Sequence, residues 1–479
     1  MLKSAKRIET DAGFGLLIDG ELVAAAGTLD VINPATAEIF ARCPAAGTDE
    51  LERAVAAARR AAPAWVELGF AARREIIAAI AARLSENQDW LAELLTREQG
   101  KPIGQSIAEI DRGAAQSVGM AAIEISVETL IDDDERLIEL HYRPLGVVGI
   151  ITPWNAPVNL ALGPLVSALY TGNTVILKPS PYTPLTTLKL GELLCDLVPP
   201  GVINVLAGDD ALGAAIGAHP GIDKIAFTGS VATGKKVYAS AAPTLKRLTL
   251  ELGGNDPAII LDDVDPTAIA KKIFFAAFVN SGQVCMAIKR IYAHERVYSP
   301  LCDALVAEAG RAKLGNGLDA ATTLGPLQNR MQYDKVCDLI NHIRKTGGRF
   351  LCGGEIPSGP GYFIPPTLVT DVAGDSRLVT EEQFGPVVPI LRYRDTEDAI
   401  ARANNTRYGL SGSVWTADLE RGKAIAARLE VGTAWVNQHR ATSAVVPFGG
   451  AKESGIGRQY SHLGLKSYME PAVISVAKR

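Results

Sequence analysis

The sequence has few cysteines, and no two of them form a known motif. Cysteine occupies six of the 479 positions, without the C-x-x-C spacing of a zinc ribbon or a thioredoxin-type redox site: Cys43, Cys195, Cys285, Cys302, Cys337 and Cys352. The six histidines lack metal-ligand spacing, and no G-x-S-x-G motif of a serine hydrolase occurs. We therefore predict no metal site. Sparse, irregularly spaced cysteines suit a reducing compartment, so we predict a cytoplasmic protein.

An excess of positive charge is lacking as well, and no secretory leader is expected. The formal net charge is −5 and the pI is about 5.8, whereas binding to nucleic-acid phosphates needs a basic face. The first 20 residues contain no apolar run typical of a signal peptide. Residues 144–177 carry no charge and are long enough to span a bilayer, but four prolines and three asparagines interrupt them. We predict neither a nucleic acid nor a membrane as a partner.

The uncharged segment has the pattern of a βαβ unit instead. The strand-like stretches "GVVGIIT" and "TVILKP" flank the helix-like "VNLALGPLVSALYTG", as in a parallel sheet that is covered on both faces. The N-terminal third is alanine-rich, and its apolar residues recur at helical steps. Alternation of strands and helices runs to about Gly253 and restarts after Gly254. We predict an α/β fold. A polar hairpin before the first strand and an alternating strand at the C-terminus are candidates for pairing with another subunit.

A glycine loop between a predicted strand and a predicted helix could hold a phosphate. In "FTGSVATGKK", Gly229 and Gly234 are five positions apart and a helix follows, so backbone N–H groups point toward a ligand. The spacing resembles a Walker A loop, but Lys236 stands where that motif needs a hydroxyl group for Mg²⁺. The pattern therefore favours nucleotide binding and disfavours a kinase or an ATPase.

Several polar residues lie where predicted strands or turns end. Glu251 precedes a double glycine in "RLTLELGG", Asn155 lies in the turn "TPWNAP", and Lys178 ends "TVILK". A buried carboxylate can act as a general base, an amide can stabilise an oxyanion, and parallel sheets bind ligands at the carboxyl ends of their strands. Glu251 could equally face solvent, and Asn155 could be a turn residue. Glu382, in "EEQFGPVVPI", is by itself typical of a solvated acidic pair.

Cys285 occupies an unusual place for a packing residue. In "FFAAFVNSGQVCMAIKR" an apolar, helix-like run breaks off at "NSGQ" and the cysteine follows, before the next strand. Most free cysteines pack as small apolar residues. A thiol is also the neutral side chain that most readily becomes a nucleophile near pH 7, and a glycine turn between two regular elements would hold its sulfur in place.

Taken in order, these segments resemble the aldehyde dehydrogenase superfamily. The matching motifs are "TPWN", "LKPS", "FTGS", "LELGG", "NSGQVC", "EEQFGPV" and "PFGGAKESGIGR", which together cover essentially the whole chain. The resemblance implies a Rossmann-like cofactor-binding domain (1–121 and 145–253), an α/β catalytic domain (254–450) and a β oligomerisation arm (122–144 and 463–479). It also implies NAD, or NADP, as the cofactor and assembly as a homodimer or homotetramer.

The resemblance implies roles for individual residues. Cys285 matches the nucleophile of the family, Glu251 its general base and Asn155 its oxyanion amide. Lys178 and Glu382 match the residues that hold the ribose hydroxyls of the cofactor. Further residues match positions that line the cofactor site: Ile151, Trp154, Ser180, Gly208, Phe227, Gly229, Ser230, Leu252 and Phe384.

The implied reaction is oxidation of an aldehyde to a carboxylic acid through a cysteine thiohemiacetal and thioester. The alternatives are a CoA-acylating semialdehyde dehydrogenase, in which Glu251 is generally lacking, and an inactive scaffold, in which the catalytic residues need not persist. Two positions depart from the family. Pro181 replaces a glutamate that favours NAD over NADP, and His462 replaces a second glutamate of the proton path.

The substrate can be predicted only by class. In the family, the helix face with residues i, i+4 and i+7 after the oxyanion amide lines the aldehyde tunnel. Here those residues, and the ones expected opposite them, are Ala156, Leu160 and Gly163, then Arg440, Thr442 and Phe448. Two small residues predict a wide tunnel and hence a bulky aromatic or medium-chain aldehyde. Arg440 either binds a carboxylate of the substrate or is a solvated loop residue.

Overall fold

The computed structural model describes residues 13–478. The strands, numbered along the chain, are β1 (Leu16–Ile18), β2 (Glu21–Val23), β3 (Gly27–Asn33), β4 (Glu38–Ala45), β5 (Glu128–Asp132), β6 (Arg136–Pro144), β7 (Val147–Ile151), β8 (Thr174–Lys178), β9 (Ile203–Val205), β10 (Lys224–Thr228), β11 (Arg247–Glu251), β12 (Asp256–Ile260), β13 (Ile288–His294), β14 (Arg349–Cys352), β15 (Thr367–Thr370), β16 (Val387–Tyr393), β17 (Tyr408–Gly409), β18 (Ser411–Trp415), β19 (Thr433–Val436), β20 (Ala451–Lys452), β21 (Gly455–Ile456) and β22 (Met469–Ala477). The helices are α1 (Thr48–Glu67), α2 (Gly69–Glu86), α3 (Gln88–Gln99), α4 (Ile103–Ala121), α5 (Pro157–Tyr170), α6 (Leu185–Leu194), α7 (Asp210–Ala218), α8 (Val231–Ala241), α9 (Pro266–Phe278), α10 (Glu295–Arg311), α11 (Arg330–Lys345), α12 (Arg377–Thr380), α13 (Thr396–Asn404), α14 (Leu419–Ala426) and α15 (Ser461–Lys466).

The first sheet has the strand order β2-β1-β9-β8-β7-β10-β11-β21. Its five strands from β9 to β11 run parallel, while β1, β2 and β21 are antiparallel additions at the two edges. The order changes direction between β8 and β10, on either side of β7. Open α/β sheets bind ligands at such a switch point, beyond the carboxyl ends of their strands. The predicted βαβ unit is confirmed as β7, α5 and β8.

The N-terminal third contains strands that the helical pattern did not predict. Helices α1 to α4 follow the alanine-rich segment, but β1 to β4 precede them. The first hairpin turns at Asp19 and Gly20, whose φ angles are 55° and 82°. An Asp-Gly pair between apolar residues is a strong hairpin signal because both positions need a positive φ. The helical prediction is therefore confirmed for the alanine-rich segment, whereas the strands before it were not predicted.

The second sheet has the order β14-β15-β16-β13-β12-β18-β19, and every strand except β14 is parallel to its neighbours. The segment "RIYAHERVY" is a strand only as far as His294. There the imidazole Nδ1 accepts a hydrogen bond from the Arg296 N–H at 3.3 Å and caps α10. The remainder of that segment is helical.

The predicted hairpin and the C-terminal strand pair with each other. Strands β5 and β6 form the hairpin, and β22 joins β6 in nine antiparallel pairs, from Met469 opposite Pro144 to Ala477 opposite Arg136. The terminal strand thus has its partner within the chain, contrary to expectation. It lacked a visible partner in the sequence because more than 300 residues separate the two strands. Apolar side chains on this three-stranded sheet are exposed, with Leu130 at 53% and Val473 at 62%.

The connection between the two large sheets begins directly after Glu251. β11 ends at Glu251, and Gly253 and Gly254 lead directly into β12 of the second sheet. The chain later returns through β21, which pairs with β11. Within residues 13–478, no helix is long and apolar enough to cross a membrane, and no cluster of side chains is suited to a metal ion. The three predicted domain boundaries remain a prediction.

Candidate active site

Most of the predicted cofactor residues lie at the carboxyl ends of the parallel strands of the first sheet. Each lies near the end of a strand or just after it: Ile151 and Trp154 at β7, Lys178 and Ser180 at β8, Gly208 after β9, Phe227, Gly229 and Ser230 at β10, and Leu252 after β11. Glu382 and Phe384 come from the segment before β16 of the second sheet. The structure brings the two groups together, because the rings of Trp154 and Phe384 lie edge to face with centroids 5.3 Å apart.

The loop between β10 and α8 has the shape of an anion-binding cradle. A Cβ atom at Gly229 would lie 2.5 Å from Cζ of the Phe227 ring, so any larger residue would force that ring to move. Ser230 caps α8 by accepting a hydrogen bond from the Thr233 N–H at 3.1 Å, and its residue is exposed. A capped helix N-terminus that faces solvent beside a glycine can hold a phosphate group. These residues therefore fit a dinucleotide.

Two charged residues that match ribose-binding positions are buried. Burial lowers the pKa of the Lys178 ammonium to about 8, against the opposing charges of Asp210 and Asp209. Glu382 accepts a hydrogen bond from the Gly254 N–H at 3.0 Å, and burial raises the pKa of its carboxyl. Its side chain is only 14% exposed, so the interpretation as a solvated acidic pair was wrong.

The turn before Cys285 is left-handed and buried. Asn280, Ser281 and Gly282 have φ angles of 52°, 54° and 74°, a sequence that ordinary residues adopt only at a cost. A Cβ atom at Gly282 would lie 2.7 Å from the carbonyl carbon of Gly385. The turn therefore packs directly against the "FGP" segment.

Hydrogen bonds to backbone groups hold each polar side chain of this turn. Ser281 Oγ donates to the Gly325 carbonyl oxygen at 2.7 Å, and Gln283 Nε2 donates to the Asn280 carbonyl oxygen at 2.9 Å. The turn residues themselves are buried, whereas Val284 to Met286, and thus Cys285, are partly accessible. The turn therefore holds the cysteine in place and leaves its side chain partly accessible.

Asn155 is fixed beside the cysteine loop. Its amide nitrogen donates to the Gln283 carbonyl oxygen at 2.9 Å, so the second N–H of the amide is free to bind an oxyanion. Its own carbonyl oxygen accepts bonds from Lys101 Nζ and Asn280 Nδ2, each at 2.9 Å. Lys101 forms a buried ion pair with Glu109. Sequence reasoning missed this pair, since the two residues lie eight positions apart in an otherwise ordinary helical region.

Glu251 is buried at the end of β11. Both of its carboxylate oxygens lack a hydrogen-bond partner within the described part of the chain. Burial raises the pKa of the Glu251 carboxyl well above its usual value, and the charge of Arg458 only partly opposes this. The interpretation as a solvent-facing carboxylate was therefore wrong. A carboxyl group with a raised pKa is suited to accepting and returning a proton near neutral pH.

Cys285 lies among charges of both signs. Burial raises the pKa of its thiol to about 12, and the carboxylates of Asp256, Glu251 and Glu382 act in the same direction. Lys289 acts in the opposite direction. No sequence motif had pointed to Lys289. Its position four residues after the nucleophile, at the start of a buried strand, is the signal that could have done so.

The helix face expected to line the substrate tunnel is covered at Gly163. A Cβ atom there would lie 3.5 Å from the hydroxyl oxygen of Tyr460, whose side chain is buried. Gly163 is therefore packed against a phenol and leaves no open space for substrate there, which corrects the expected opening at this position. Ala156 and Leu160 remain partly exposed. Tyr460 was missed because it follows Leu160 by 300 residues.

The opposite loop places the charge of Arg440 where it acts on the Cys285 thiol. Its guanidinium lies over the Phe275 ring, 5.7 Å from the centroid, and its Nε is buried without a hydrogen-bond partner among the described residues. Burial and the like charge of Arg112 lower the pKa of Arg440 to about 10, while Cys285 opposes them. The interpretation as a solvated loop residue was wrong. Thr442 is partly exposed, and Phe448 exchanges backbone hydrogen bonds with Gln459.

His462 lies away from this site. It is exposed on α15, and its charge acts on Glu128 of β5. The general-base candidate in the described structure is accordingly Glu251.

The fold and this arrangement together define a class of enzyme: a dehydrogenase in which a dinucleotide-binding sheet meets a partly accessible cysteine and a buried carboxylate. Comparison with known proteins agrees. Residues 22–474 match the model of the aldehyde dehydrogenase family. The chain is 38% identical to aldehyde dehydrogenase LUC3 of Fusarium sp over 93% of this chain and 95% of that protein. It is 37% identical to the chloroplastic betaine aldehyde dehydrogenase of Beta vulgaris, over 95% and 94%.

A solved structure shows the same likeness. The NAD⁺ complex of an aldehyde dehydrogenase from Bacillus cereus superposes with a TM-score of 0.94 at 38% identity, over 97% of this chain and 96% of that one. The chain therefore belongs to the aldehyde dehydrogenase family. The expected α/β fold class is confirmed, as is the expected enzyme class, an NAD(P)-dependent oxidoreductase that acts on aldehydes.

Proposed function

We propose that this protein oxidises its aldehyde to a carboxylic acid with Cys285 as the nucleophile, Glu251 as the general base and Asn155 as an oxyanion donor. The observation that carries this proposal is the buried Glu251 carboxylate, whose charge acts on Cys285 and whose oxygens have no partner in the described structure. An unpaired buried carboxylate costs several kcal/mol of stability, which folding alone does not repay.

In the first half of the reaction, the sulfur of Cys285 attacks the aldehyde carbon. Burial raises the pKa of the thiol to about 12, so the thiol gives up its proton to solvent as the sulfur attacks, and Glu251 acts in the second half. The oxygen of the adduct becomes negative. The free N–H of Asn155 and the backbone N–H of Cys285, which has no acceptor among the described residues, can both bind it.

In the second half, the acyl group leaves the sulfur. A bound NAD⁺ or NADP⁺, held by Lys178, Glu382 and the loop at Gly229, would supply the two-electron oxidation by hydride acceptance, and a thioester on Cys285 would remain. Glu251 takes a proton from water, the resulting hydroxide adds to the thioester carbon, and the C–S bond breaks to release the carboxylic acid. Hydrolysis of this kind, supported by Glu251, disfavours the CoA-acylating alternative.

The cofactor would be held mainly by the first sheet. The cradle at Gly229 and Ser230 fits its pyrophosphate, Lys178 and Glu382 its ribose hydroxyls, and Phe384 its nicotinamide end. Because Pro181 replaces the glutamate that would hold an adenosine ribose and repel a 2′-phosphate, the site can serve NAD or NADP.

The experiment follows absorbance at 340 nm after mixing the enzyme with NAD or NADP and an aldehyde. Cys285→Ala should abolish turnover and leave cofactor binding intact. Glu251→Gln should give a burst of NADH followed by a slow steady rate, because hydrolysis suffers more than hydride transfer. Equal loss of both phases would assign Glu251 to thiol activation, and turnover by Cys285→Ala would overturn the proposal.

For the substrate we propose a bulky aromatic or medium-chain aldehyde with a polar or anionic group at its far end. The partly exposed Ala156 and Leu160 leave apolar space, whereas the guanidinium of Arg440 has an unused donor. A bidentate bond from that guanidinium suits a carboxylate. Betaine aldehyde, named for several relatives, carries a quaternary ammonium group, which Arg440 and Arg112 would repel.

Comparison of kcat/KM values tests this choice. We expect a benzaldehyde and a long ω-carboxy aldehyde to exceed both acetaldehyde and betaine aldehyde. Arg440→Ala should lower kcat/KM for the ω-carboxy aldehyde by about 10-fold or more and leave that for benzaldehyde nearly unchanged. A preference for acetaldehyde would remove the tunnel argument, and an unaltered ω-carboxy rate in the variant would remove Arg440 from the site.

We also propose that the chain forms a homodimer or homotetramer through the sheet of β5, β6 and β22. Leu130, Val473 and Val476 are 53%, 62% and 48% exposed on it, and the outer edges of β5 and β22 pair with no other described strand. Val473→Asp should shift the mass measured by light scattering toward the monomer, whereas Leu419→Asp, an exposed change elsewhere, should not.

The six free thiols support a cytoplasmic location.

A further inference from the structure

Lys289 is buried beside the proposed nucleophile and has no part in the reaction described above. Its side chain is 3% exposed at the start of β13. Its ammonium donates to the carbonyl oxygens of Val284 at 2.8 Å and Cys285 at 2.5 Å, and it lies 4.0 Å from a Glu382 carboxylate oxygen. Burial of an ammonium group is unfavourable unless hydrogen bonds and opposite charges surround it, as they do here.

The loop that Lys289 contacts is anchored at three successive carbonyl groups. Lys289 binds those of Val284 and Cys285, and the imidazole of His439 lies with Nε2 3.0 Å from the Met286 carbonyl oxygen. Carbonyl groups pulled to one side turn the intervening N–H groups and the Cys285 side chain toward the other. The lysine thereby helps to set where the sulfur and its backbone N–H lie.

Charged groups from every element packed around Lys289 act on the same site. Asp256 comes from β12, Glu251 from β11, Glu382 from the segment before β16, Lys335 from α11 and His439 from the loop after β19. The three carboxylates oppose ionisation of the Cys285 thiol. Lys289 favours its ionisation, and so does the guanidinium of Arg440, whose charge is coupled to the same thiol.

We propose that Lys289 is a positioning residue, which anchors the Cys285 loop through two carbonyl groups and supplies positive charge against which the thiolate forms. This inference rests on the proposed role of Cys285 as the nucleophile. A compact ammonium group suits the task because it can donate to both carbonyl oxygens from within a narrow space.

The rate at which iodoacetamide alkylates Cys285, measured by mass spectrometry between pH 7 and 11, tests the proposal. Only the thiolate reacts, so the pH profile reports the thiol pKa. In Lys289→Met the profile should move to higher pH, and the rate at pH 8 should fall by about 10-fold or more, since one pKa unit is tenfold. Lys289→Arg should recover part of this rate.

Controls separate the charge from the fold. Lys289→Gln keeps a hydrogen-bond donor for the carbonyl groups but lacks the charge, so its alkylation profile should also move to higher pH. It serves as the test variant if Lys289→Met does not fold. Lys335→Met removes a cation that bonds to the backbone of Glu382 but not to the cysteine loop, and its profile should match the wild type. A wild-type profile in a folded Lys289→Met or Lys289→Gln protein overturns the inference. Turnover by Cys285→Ala would instead overturn the proposed function.

Discussion

Gly282 is the position where a single methyl group should damage the site most. In Gly282→Ala the new side chain meets two separate costs. The φ angle of +74° costs an alanine about 1 kcal/mol. The added Cβ atom would also lie 2.7 Å from the Gly385 carbonyl carbon, well inside the ~3.5 Å of a normal contact. The obstacle is backbone and cannot rotate away, so the turn must move by roughly 1 Å, at a further cost of about 1–3 kcal/mol.

The displaced turn carries Cys285 only three residues later. A misplacement of about 1 Å at a reacting group typically costs ~100-fold in rate, so kcat/KM should fall by about that factor. Two matched variants separate the contributions. Gly347→Ala has a similar φ angle of +82° and open space around it, so it carries the strain alone. Gly310→Ala lies in α10 with open space and ordinary helical geometry, so it carries neither cost.

Thermal unfolding and aldehyde oxidation at 340 nm measure both effects. The melting temperature should decrease in the order Gly310→Ala, wild type, Gly347→Ala, Gly282→Ala, since alanine is preferred to glycine within a helix. Only Gly282→Ala should lose activity. The reasoning is refuted if Gly282→Ala has the same melting temperature as Gly347→Ala. It is also refuted if Gly282→Ala is less stable but retains full activity per folded molecule.

Three other outcomes can be measured in the same way. Lys224 is fully buried, and burial lowers the pKa of its ammonium to about 7. Below pH 7 the buried charge therefore destabilises the folded state. This cost decreases as the pH rises toward 10.5, the ordinary pKa of lysine. Lys224→Met should therefore melt at a higher temperature than the wild type at pH 6, by a margin that shrinks by pH 10; a constant margin contradicts this. In the wild type, the raised pKa of Glu251 makes ionisation of the buried carboxyl destabilising as the pH rises above 4.5, the ordinary pKa of glutamate. Glu251→Gln removes this carboxyl, so its stability relative to the wild type should increase with pH. A gain seen only at acid pH contradicts this. Cys302→Ala, in the core of the second sheet, should lose about 1–2 kcal/mol of stability and keep its kcat; a lost kcat would give Cys302 a catalytic role.

Local patterns in the sequence were sufficient for the elements that carry the site. The apolar strands around "PWN" and "KPS" end where β7 and β8 end, because buried parallel strands need continuous apolar runs whatever surrounds them. The glycine loop at Gly229 was likewise predicted from its local pattern, a strand followed by two spaced glycines and a helix. The Asp-Gly signal of the hairpin at Asp19 and Gly20 is also local, but it lies outside the helical segment from which the N-terminal third was predicted.

What the sequence could not show are properties that arise between distant segments. The buried state of Glu251 and Glu382 depends on two sheets closing over them, and the pairing of β22 with β6 joins residues more than 300 positions apart. Tyr460 covers Gly163 for the same reason. The sequence by itself determined which residues can do chemistry, because that follows from side-chain type. Only the tertiary structure decided how far each pKa moves and which groups meet, because desolvation and charge coupling depend on what lies around a group in space.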